Sequence, residues 1–406
     1  MLRQLISLLK KKVTNGYFTC RVLKSRNVMK KTLSLIVILF FVSLSLVFPQ
    51  VQSTKYLDGV SITEIASEGG DIWVSTYGKG IYMYSVSDGK WTEYSTRNNK
   101  IENDFFYTIA VSKDYVWAGA VDGLYTLDRK RDQWRKRKFA LGGEMGNWIR
   151  SLCYDPAQNI LWIGRFQNLT LLDVQKQRYS DRMLTQNNDA KTNTIKVIKL
   201  DGDSLIWFGT ESGVFKYRKK MSMEDRDAWQ FIDNKDGGFL NEGEAVSLTD
   251  ILFEPGNIWF GTDEFITVKD PNFNVGGIYT YDRHKKWIKI SREDGLPANG
   301  IYCLARTGNK IWAGVYSFDK MEKKDYGRGL VLIDRTTLKV TPVDLNEINI
   351  NSSKIVCSYF DGSNMWIGTD KGLCKILIEN PLARWTLKKE EVPKPEKPKL
   401  RKKIRR

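Results

Sequence analysis

From about residue 59 onward the apolar positions come in short runs broken by Gly, Asp and Asn. One run recurs: an apolar residue, Trp, then a small or apolar stretch. It reads DIWVST, YVWAGA, LWIGRF, IWFGTE, IWFGTD, IWAGVY and MWIGTD. The Trp residues are Trp73, Trp117, Trp162, Trp207, Trp259, Trp312 and Trp366, spaced 44, 45, 45, 52, 53 and 54 residues apart. A second run follows each: GIYMYS, GLYTLD, NLTLLD, GVFKYR, GIYTYD, GLVLID and GLCKIL, starting at Gly80, Gly123, Asn168, Gly213, Gly277, Gly329 and Gly372. A third element closes the units, as in KWTEYS, AWQFID, KWIKIS and, in the last, RWTLKK. A further apolar segment, such as FYTIAVS or IYCLAR, precedes each Trp. No part of this body keeps a 3.6-residue period over three turns, which excludes a helical solenoid.

Each unit thus reads as four short strands, and four strands at a period of roughly 40–50 residues predict a β-propeller blade. The expected fold class is all-β: a seven-bladed propeller over residues 54–389. A blade apolar on both faces cannot stand alone, so the ring is what buries it. The seven Trp residues are the expected structural anchors between blades, where a large flat side chain covers much area.

The N-terminal 53 residues read differently. Thr32–Phe48 is uncharged and apolar and follows Lys30 and Lys31. A basic start, an apolar run and small residues beyond it form an export signal. Val51 and Ser53 suit the positions before a cleavage, which would release a chain starting at Thr54. If Met29 is the true start, cleavage fits; if Met1 is, the long basic lead favours a retained helical membrane anchor with its N-terminus inside. Both readings place the body outside the cytoplasm, periplasmic or extracellular. A bacterial source is implied.

Charge then narrows the partners. The chain carries a formal +17. Residues 1–53 hold nine Lys or Arg and no acid, and residues 387–406 hold ten against three Glu; the remaining 45 basic and 44 acidic residues leave the body at +1. A nucleic-acid-binding fold carries its basic patch on the fold itself, so no nucleic-acid partner is expected. The cluster Arg129–Lys138 reads as a solvated outer strand and turn, with a polyanion contact as the sharper alternative. Residues 390–406, rich in Pro and like charge, are expected to be disordered, solvated or in contact with an anionic polymer or lipid.

The Trp-Ile-Gly-Thr core with a following Gly-Leu-Tyr-x-x-Asp resembles the two-component regulator propeller repeat. Met365–Thr369 with Gly372 and Leu373 is the nearest copy, and Asp294–Asn299 (DGLPAN) resembles that family's inter-blade linker. The resemblance covers about residues 59–389. It implies an exported ligand-sensing propeller. This chain has no kinase motif and no second apolar stretch of membrane length, so what carries over is a standalone ligand-binding or scaffold module. Any signalling would pass through a separate partner, and membrane contact through an uncleaved anchor.

Catalytic constellations are sparse. The single His, His284, lies in a turn, which leaves a Ser/His/Asp triad without an imidazole. No phosphate-binding or dinucleotide fingerprint occurs, and no cofactor or metal set is expected. Asp201-Gly202-Asp203 lacks calcium-loop spacing. The pairs Asp263/Glu264 and Glu242/Glu244 are the carboxylates a lyase or glycosidase would use. Cys153, Cys303 and Cys357 each precede their Trp by nine residues, which predicts equivalent places on three innermost strands. Blades pack too far apart there for a disulfide. With Cys374, they read as small buried hydrophobes.

Three functions remain: a non-catalytic sensor-type propeller binding a glycan or partner protein, a propeller lyase or glycosidase using loop carboxylates, and a protein-interaction scaffold. The ligand face should carry the second-to-third-strand connections and the links between blades. Two connections are long, from Trp259 to Gly277 and from Trp312 to Gly329. They carry Phe265, Phe273, Tyr316, Phe318, Tyr326 and Arg328; Trp148 and Phe166 fall on the same face. These eight are the candidate ligand-binding residues. The alternative is that the insertions cap the channel and their aromatics pack on one another.

Overall fold

The computed structural model describes residues 52–378, apart from 140–142, 236 and 267–273. The export segment, the basic tail, the RWTLKK element and Phe273 lie outside the described residues. What is described is a seven-bladed propeller of four-stranded antiparallel sheets. Blade 1 is Ile62–Glu68, Asp71–Thr76, Ile81–Ser85 and Lys90–Tyr94, in that order from the centre outward. Blades 2 to 6 begin at Thr108, Ile149, Ile195, Leu248 and Gly300 and repeat the order. In blade 7, Ile355–Phe360, Asn364–Thr369 and Gly372–Leu377 are joined by Ser53–Tyr56 as the outermost strand. The ring is therefore closed by the start of the body, with Ser53, offered above as the residue before a cleavage, as the strand's first residue. Tyr56 locks it: its ring lies 5.5 Å from Tyr84 and Trp91 of blade 1 and 5.9 Å from Trp366 of blade 7.

The repeated motif has a packing reason at each position. All seven anchor Trp side chains are at most 2% exposed. Six of them cluster with the following blade: Trp73 with Ile109 and Val116, Trp366 with Ile62 and Val74. Burying each indole removes on the order of 200 Å², worth about 5 kcal/mol as an upper estimate. In every blade but the first, Gly follows two residues later, where the next blade presses in: a Cβ at Gly119 would sit 2.5 Å from Ile149, and one at Gly368 2.6 Å from Ile62. The Thr after it, in Thr76, Thr210, Thr262 and Thr369, donates its hydroxyl to the carbonyl of Gly80, Gly213, Gly277 or Gly372. The closing Asp of the second run caps the next turn, with Asp128, Asp282 and Asp334 each accepting backbone N–H groups.

Charges also staple neighbouring blades. Asp71 pairs with Arg129, Asp155 with Lys219, Asp201 with Arg283 and Glu254 with Arg335. The Asp155–Lys219 pair is almost fully buried at 2.8 Å. In each pair the acid belongs to one blade and the cation to the next.

The cysteine reading needs one correction. Cys303 and Cys357 are equivalent, facing Gly314 and Gly368, but Cys153 faces Trp162. The hairpin of blade 3 is longer: Trp162 lies nine residues beyond its partner, while Trp312 and Trp366 lie seven beyond Ala305 and Tyr359. Equal sequence offsets therefore do not mean equal places. Cys303 and Cys357 are buried with free thiols. Burial pushes the Cys303 thiol up to about 12 and Cys357 well above its ordinary value, so neither is a ready nucleophile.

Candidate functional site: the mouth of the channel

At the start of each innermost strand, or within two residues of it, lies an apolar residue that is fully buried: Ile62, Phe106, Ile149, Ile195, Leu248, Ile301 and Ile355 are all 0% exposed. The ladder slips directly after it in six blades, between Ile62 and Glu64, Ile149 and Ser151, Ile195 and Val197, Leu248 and Asp250, Ile301 and Cys303, and Ile355 and Cys357. A bulge re-aims one side chain. The bulged residues are Thr63, Arg150, Lys196, Thr249, Tyr302 and Val356, and Tyr107 holds the same place in blade 2. All seven are half-buried. They ring the channel mouth on the face of the second-to-third-strand connections.

Blades 1 to 3 make an aromatic arc on this face. Tyr77, from the connection of blade 1, meets Phe105 at 5.0 Å and Tyr107 at 5.7 Å. Tyr107 meets Trp148 at 5.6 Å, and Trp148 stacks on Phe166 at 5.4 Å with planes 1° apart. Tyr77 and Phe105 are 50% and 49% exposed. Arg150 lies 5.3 Å from the Trp148 ring and donates to Glu211 of blade 4 at 2.6 Å. Arg165, fully buried where four other blades have Thr, supports the arc from below. It binds Asp181 and donates to the carbonyl of Gly146, two residues before Trp148.

Blades 4 to 7 make a charged arc. Lys196 pairs with Asp263, which also accepts from Ser247 at 2.5 Å and Tyr316 at 2.7 Å. Tyr316 stacks on Tyr302 at 4.3 Å. Tyr302 donates to Asp325, which pairs with Lys354 at 2.7 Å. Burial opposes ionisation of Asp263, but Lys196 and the two hydroxyls outweigh it and hold the carboxyl below its ordinary range. Lys354 and Tyr302 do the same for Asp325 against its own burial. The hydroxyls of Tyr302 and Tyr316 are pushed up, by burial first and then by their acid partners.

The eight candidates fall into these two groups. Trp148 and Phe166 belong to the aromatic arc. Tyr316 is only 6% exposed, inside the charged arc. The blade 6 insertion is a regular hairpin that prolongs Lys310–Asp319 and Lys324–Asp334. Phe318 on it is 40% exposed and its N–H donates to Glu264 of blade 5 at 3.0 Å. Tyr326 donates to Glu322 under Lys324, and Arg328 donates to Ser317 at 2.8 Å. Phe265 starts a two-stranded ribbon with Asn274–Val275; its side chain is outside the described residues. The two insertions therefore touch through Asp263–Tyr316 and Glu264–Phe318, on the far side of the ring from Trp148. Tyr77, Phe105, Tyr107, Arg150 and Lys196 were not among the candidates. Aligning the residue after the first apolar position of each innermost strand would have found three of them.

Deeper in the channel, Glu64 and Asp250 hold equivalent places and accept the N–H of the next blade, from Ile109 at 2.9 Å and Leu304 at 2.8 Å. Lys199 pairs with Asp250 at 3.1 Å. Burial raises the Glu64 carboxyl. Glu242 of the other sequence-flagged pair binds Lys289 and Tyr279, away from the mouth. Among the described residues no group of three His, Cys, Asp or Glu could hold a metal, and no helix is long and apolar enough to cross a membrane.

No family model matches the chain, and no curated protein matches it in sequence. Solved structures do match. The extracellular domain of the hybrid two-component system BT4673 from B. thetaiotaomicron superposes with a TM-score of 0.59 at 18% identity, over 80% of this chain and 39% of that one. The chain thus spans well under half of that domain's length. Virginiamycin B lyase from Staphylococcus aureus gives 0.55 at 12% identity over 81% of this chain and 99% of the enzyme. YCF48 bound to D1 peptide gives 0.56 at 12%, over 82% and 99%. At these identities the likeness is one of fold: a β-propeller shared with an extracellular domain of a two-component system, a lyase and a protein seen bound to a peptide.

Proposed function

We propose that this protein is an exported, non-catalytic propeller of sensor type that binds a glycan on the aromatic arc of its mouth and passes the signal to a separate partner. The observation that carries the reading is the contrast at the mouth. Half-exposed rings of Tyr77, Phe105, Tyr107, Trp148 and Phe166 form a continuous chain of T-shaped, tilted and stacked contacts beside Arg150. Such rings offer flat apolar faces to the C–H side of a sugar, with polar groups beside them to orient it. By contrast, the rim acids Glu211, Asp263 and Asp325 are each paired with a cation, and Asp263 and Asp325 are held ionised. A glycoside-cleaving pair needs one carboxyl kept protonated near neutral pH; Asp263 and Asp325 are driven the other way. Export is supported by the apolar run Thr32–Phe48 after Lys30 and Lys31, and agrees with the likeness to an extracellular domain.

The test is an oligosaccharide array probed with the intact protein and with a Tyr77→Ala/Tyr107→Ala variant. The reading expects hits with unchanged sugar and at least tenfold weaker binding by the variant. Hits kept in full by the folded variant would move the site elsewhere. Binding only in a parallel peptide library would replace the glycan by a protein partner, and turnover of a hit would replace sensing by catalysis.

A further inference from the structure

Directly after each rim residue comes a deeper one, paired with a small residue of the second strand: Glu64 with Ser75, Thr108 with Gly119, Asp250 with Gly261, Cys303 with Gly314. Only two blades have an acid at this place, Glu64 in blade 1 and Asp250 in blade 5; the others have Thr108, Ser151, Val197, Cys303 and Cys357. Each acid reaches into the next blade and accepts a backbone N–H, Glu64 from Ile109 at 2.9 Å and Asp250 from Leu304 at 2.8 Å. Two residues before Ile109 is Tyr107, and two before Leu304 is Tyr302. These are the only aromatic residues among the seven rim positions. An acid in one blade thus coincides with a rim tyrosine in the next.

The two anchors differ in what faces them. Asp250 has Lys199 beside it at 3.1 Å. Glu64 feels Lys199 only through its field across the channel. Burial raises the Glu64 carboxyl, and Asp250 adds to this; the Thr108 hydroxyl, Lys199 and the Ile109 N–H offset it in part. The thiols of Cys153 and Cys357 also face Glu64, and burial pushes Cys153 up to about 12 and Cys357 well above its ordinary value. The Tyr107 hydroxyl is likewise pushed up to about 12, by burial and then by Tyr77. The thiols and this hydroxyl stay neutral in acid, so a change of charge behind the Tyr107 strand falls to Glu64.

We propose that Glu64 is a positioning residue for the aromatic arc: through the Ile109 N–H it fixes the start of the blade 2 strand and the seat of the Tyr107 ring, so that the grip on a ligand follows the Glu64 charge. The inference rests on the reading of the arc as the sugar site. Tyr107 is the joint of that arc, 5.7 Å from Tyr77 on one side and 5.6 Å from Trp148 on the other. Its own N–H donates to the Gly119 carbonyl at 2.9 Å, and the Glu64 anchor follows two residues later. A hydrogen bond to an ionised acceptor is roughly twice as strong as one to a neutral acceptor. Protonating Glu64 therefore loosens the arc at its joint. Affinity is full above the raised Glu64 value and declines as pH falls through it.

The experiment compares the full chain with its Glu64→Gln variant, which keeps the size and an accepting oxygen but not the charge. Both carry 3-fluorotyrosine at position 107, and its fluorine resonance is followed from about pH 8 to about pH 4, the range ordinary and raised glutamates cross. With Glu64 present the resonance should move, with a midpoint above the ordinary glutamate value; in Glu64→Gln it should stay near the acid position throughout. Affinity for a sugar from the array should fall about fivefold over this range in the wild type, the loss of one charge-assisted increment. In the variant it should be low and flat. The variant keeps every other acid, so the difference between the two profiles belongs to Glu64. At the upper pH Glu64→Gln should resist urea at least as well as the wild type, because a raised carboxyl loses stability as pH rises through its folded value. A resonance that moves alike in both proteins, a wild-type affinity indifferent to pH, a variant with full affinity, or a variant weaker in urea would each overturn the proposal. The fluorine arm needs no sugar: an array without hits defeats the glycan reading and still leaves the coupling of Glu64 to Tyr107 decided, and the wild-type profile decides it even if the variant misfolds.

Discussion

The two halves of the mouth are made on the same backbone and do opposite things. In both, one residue at the start of each innermost strand faces the rim, turned there by a bulge in six of the seven blades. In blades 4 and 6 that residue meets a neighbour that completes it: Lys196 meets Asp263, and Tyr302 meets Asp325. In blades 1 to 3 Tyr107 meets other rings, and those rings are left half open to solvent. A satisfied network contributes to the fold and has little left for a ligand. An arc of open aromatic faces contributes less to the fold and retains surface to cover. The comparison therefore separates stability from binding by side of the ring.

The largest effect should come from breaking the charged half. Lys196→Ala leaves Asp263 with only hydroxyl partners. Losing one member of a fully buried pair costs about 3–5 kcal/mol; because Asp263 is 32% exposed, about 2 kcal/mol is expected. Urea unfolding would measure this, while affinity for an array-identified sugar should stay within twofold.

Next comes the aromatic half. Tyr77→Ala removes a half-exposed ring, so stability should change by less than about 0.5 kcal/mol. Affinity should fall roughly tenfold, as for a contact residue near the centre of a site. Calorimetric titration against the same sugar checks it.

Acid sharpens the contrast. Asp263 and Asp325 have folded-state values below the ordinary carboxylate range. Such groups add stability that is present above roughly pH 4, the unfolded value, and is lost as pH falls through the lower folded values. Wild-type unfolding energy should drop along this limb, and Lys196→Ala should flatten it. The smallest effect belongs to Arg328→Ala: the residue is exposed with a single contact to Ser317, so both stability and affinity should be unchanged within error.

The framework was readable from sequence because every blade solves the same packing problem. Trp73 to Trp366 mark where one blade covers the next, and Gly119 or Gly368 where it must approach. Closure was not readable, since Ser53–Tyr56 has the pattern of any edge strand and its partner lies more than 300 residues away. The mouth was half readable. Trp148 and Phe166 stood out as aromatics in connections. Tyr107 was hidden inside FYTIAVS, because it lies just before the strand Thr108–Val111 begins, where no alternation marks its side. The long blade 6 connection read as a loop, yet Tyr316 to Gly327 continues the ladder as a hairpin, which buries Tyr316 and spends it on Asp263.

The most direct test sets two variants side by side, Lys196→Ala and Tyr77→Ala/Tyr107→Ala, each measured for unfolding free energy and for affinity to one sugar taken from the array. The account predicts that the first loses stability and keeps affinity, and that the second loses affinity by at least tenfold with the smaller loss of stability. A Lys196→Ala protein that stays as stable as the wild type but no longer binds, or an aromatic double variant that binds as before, would contradict it.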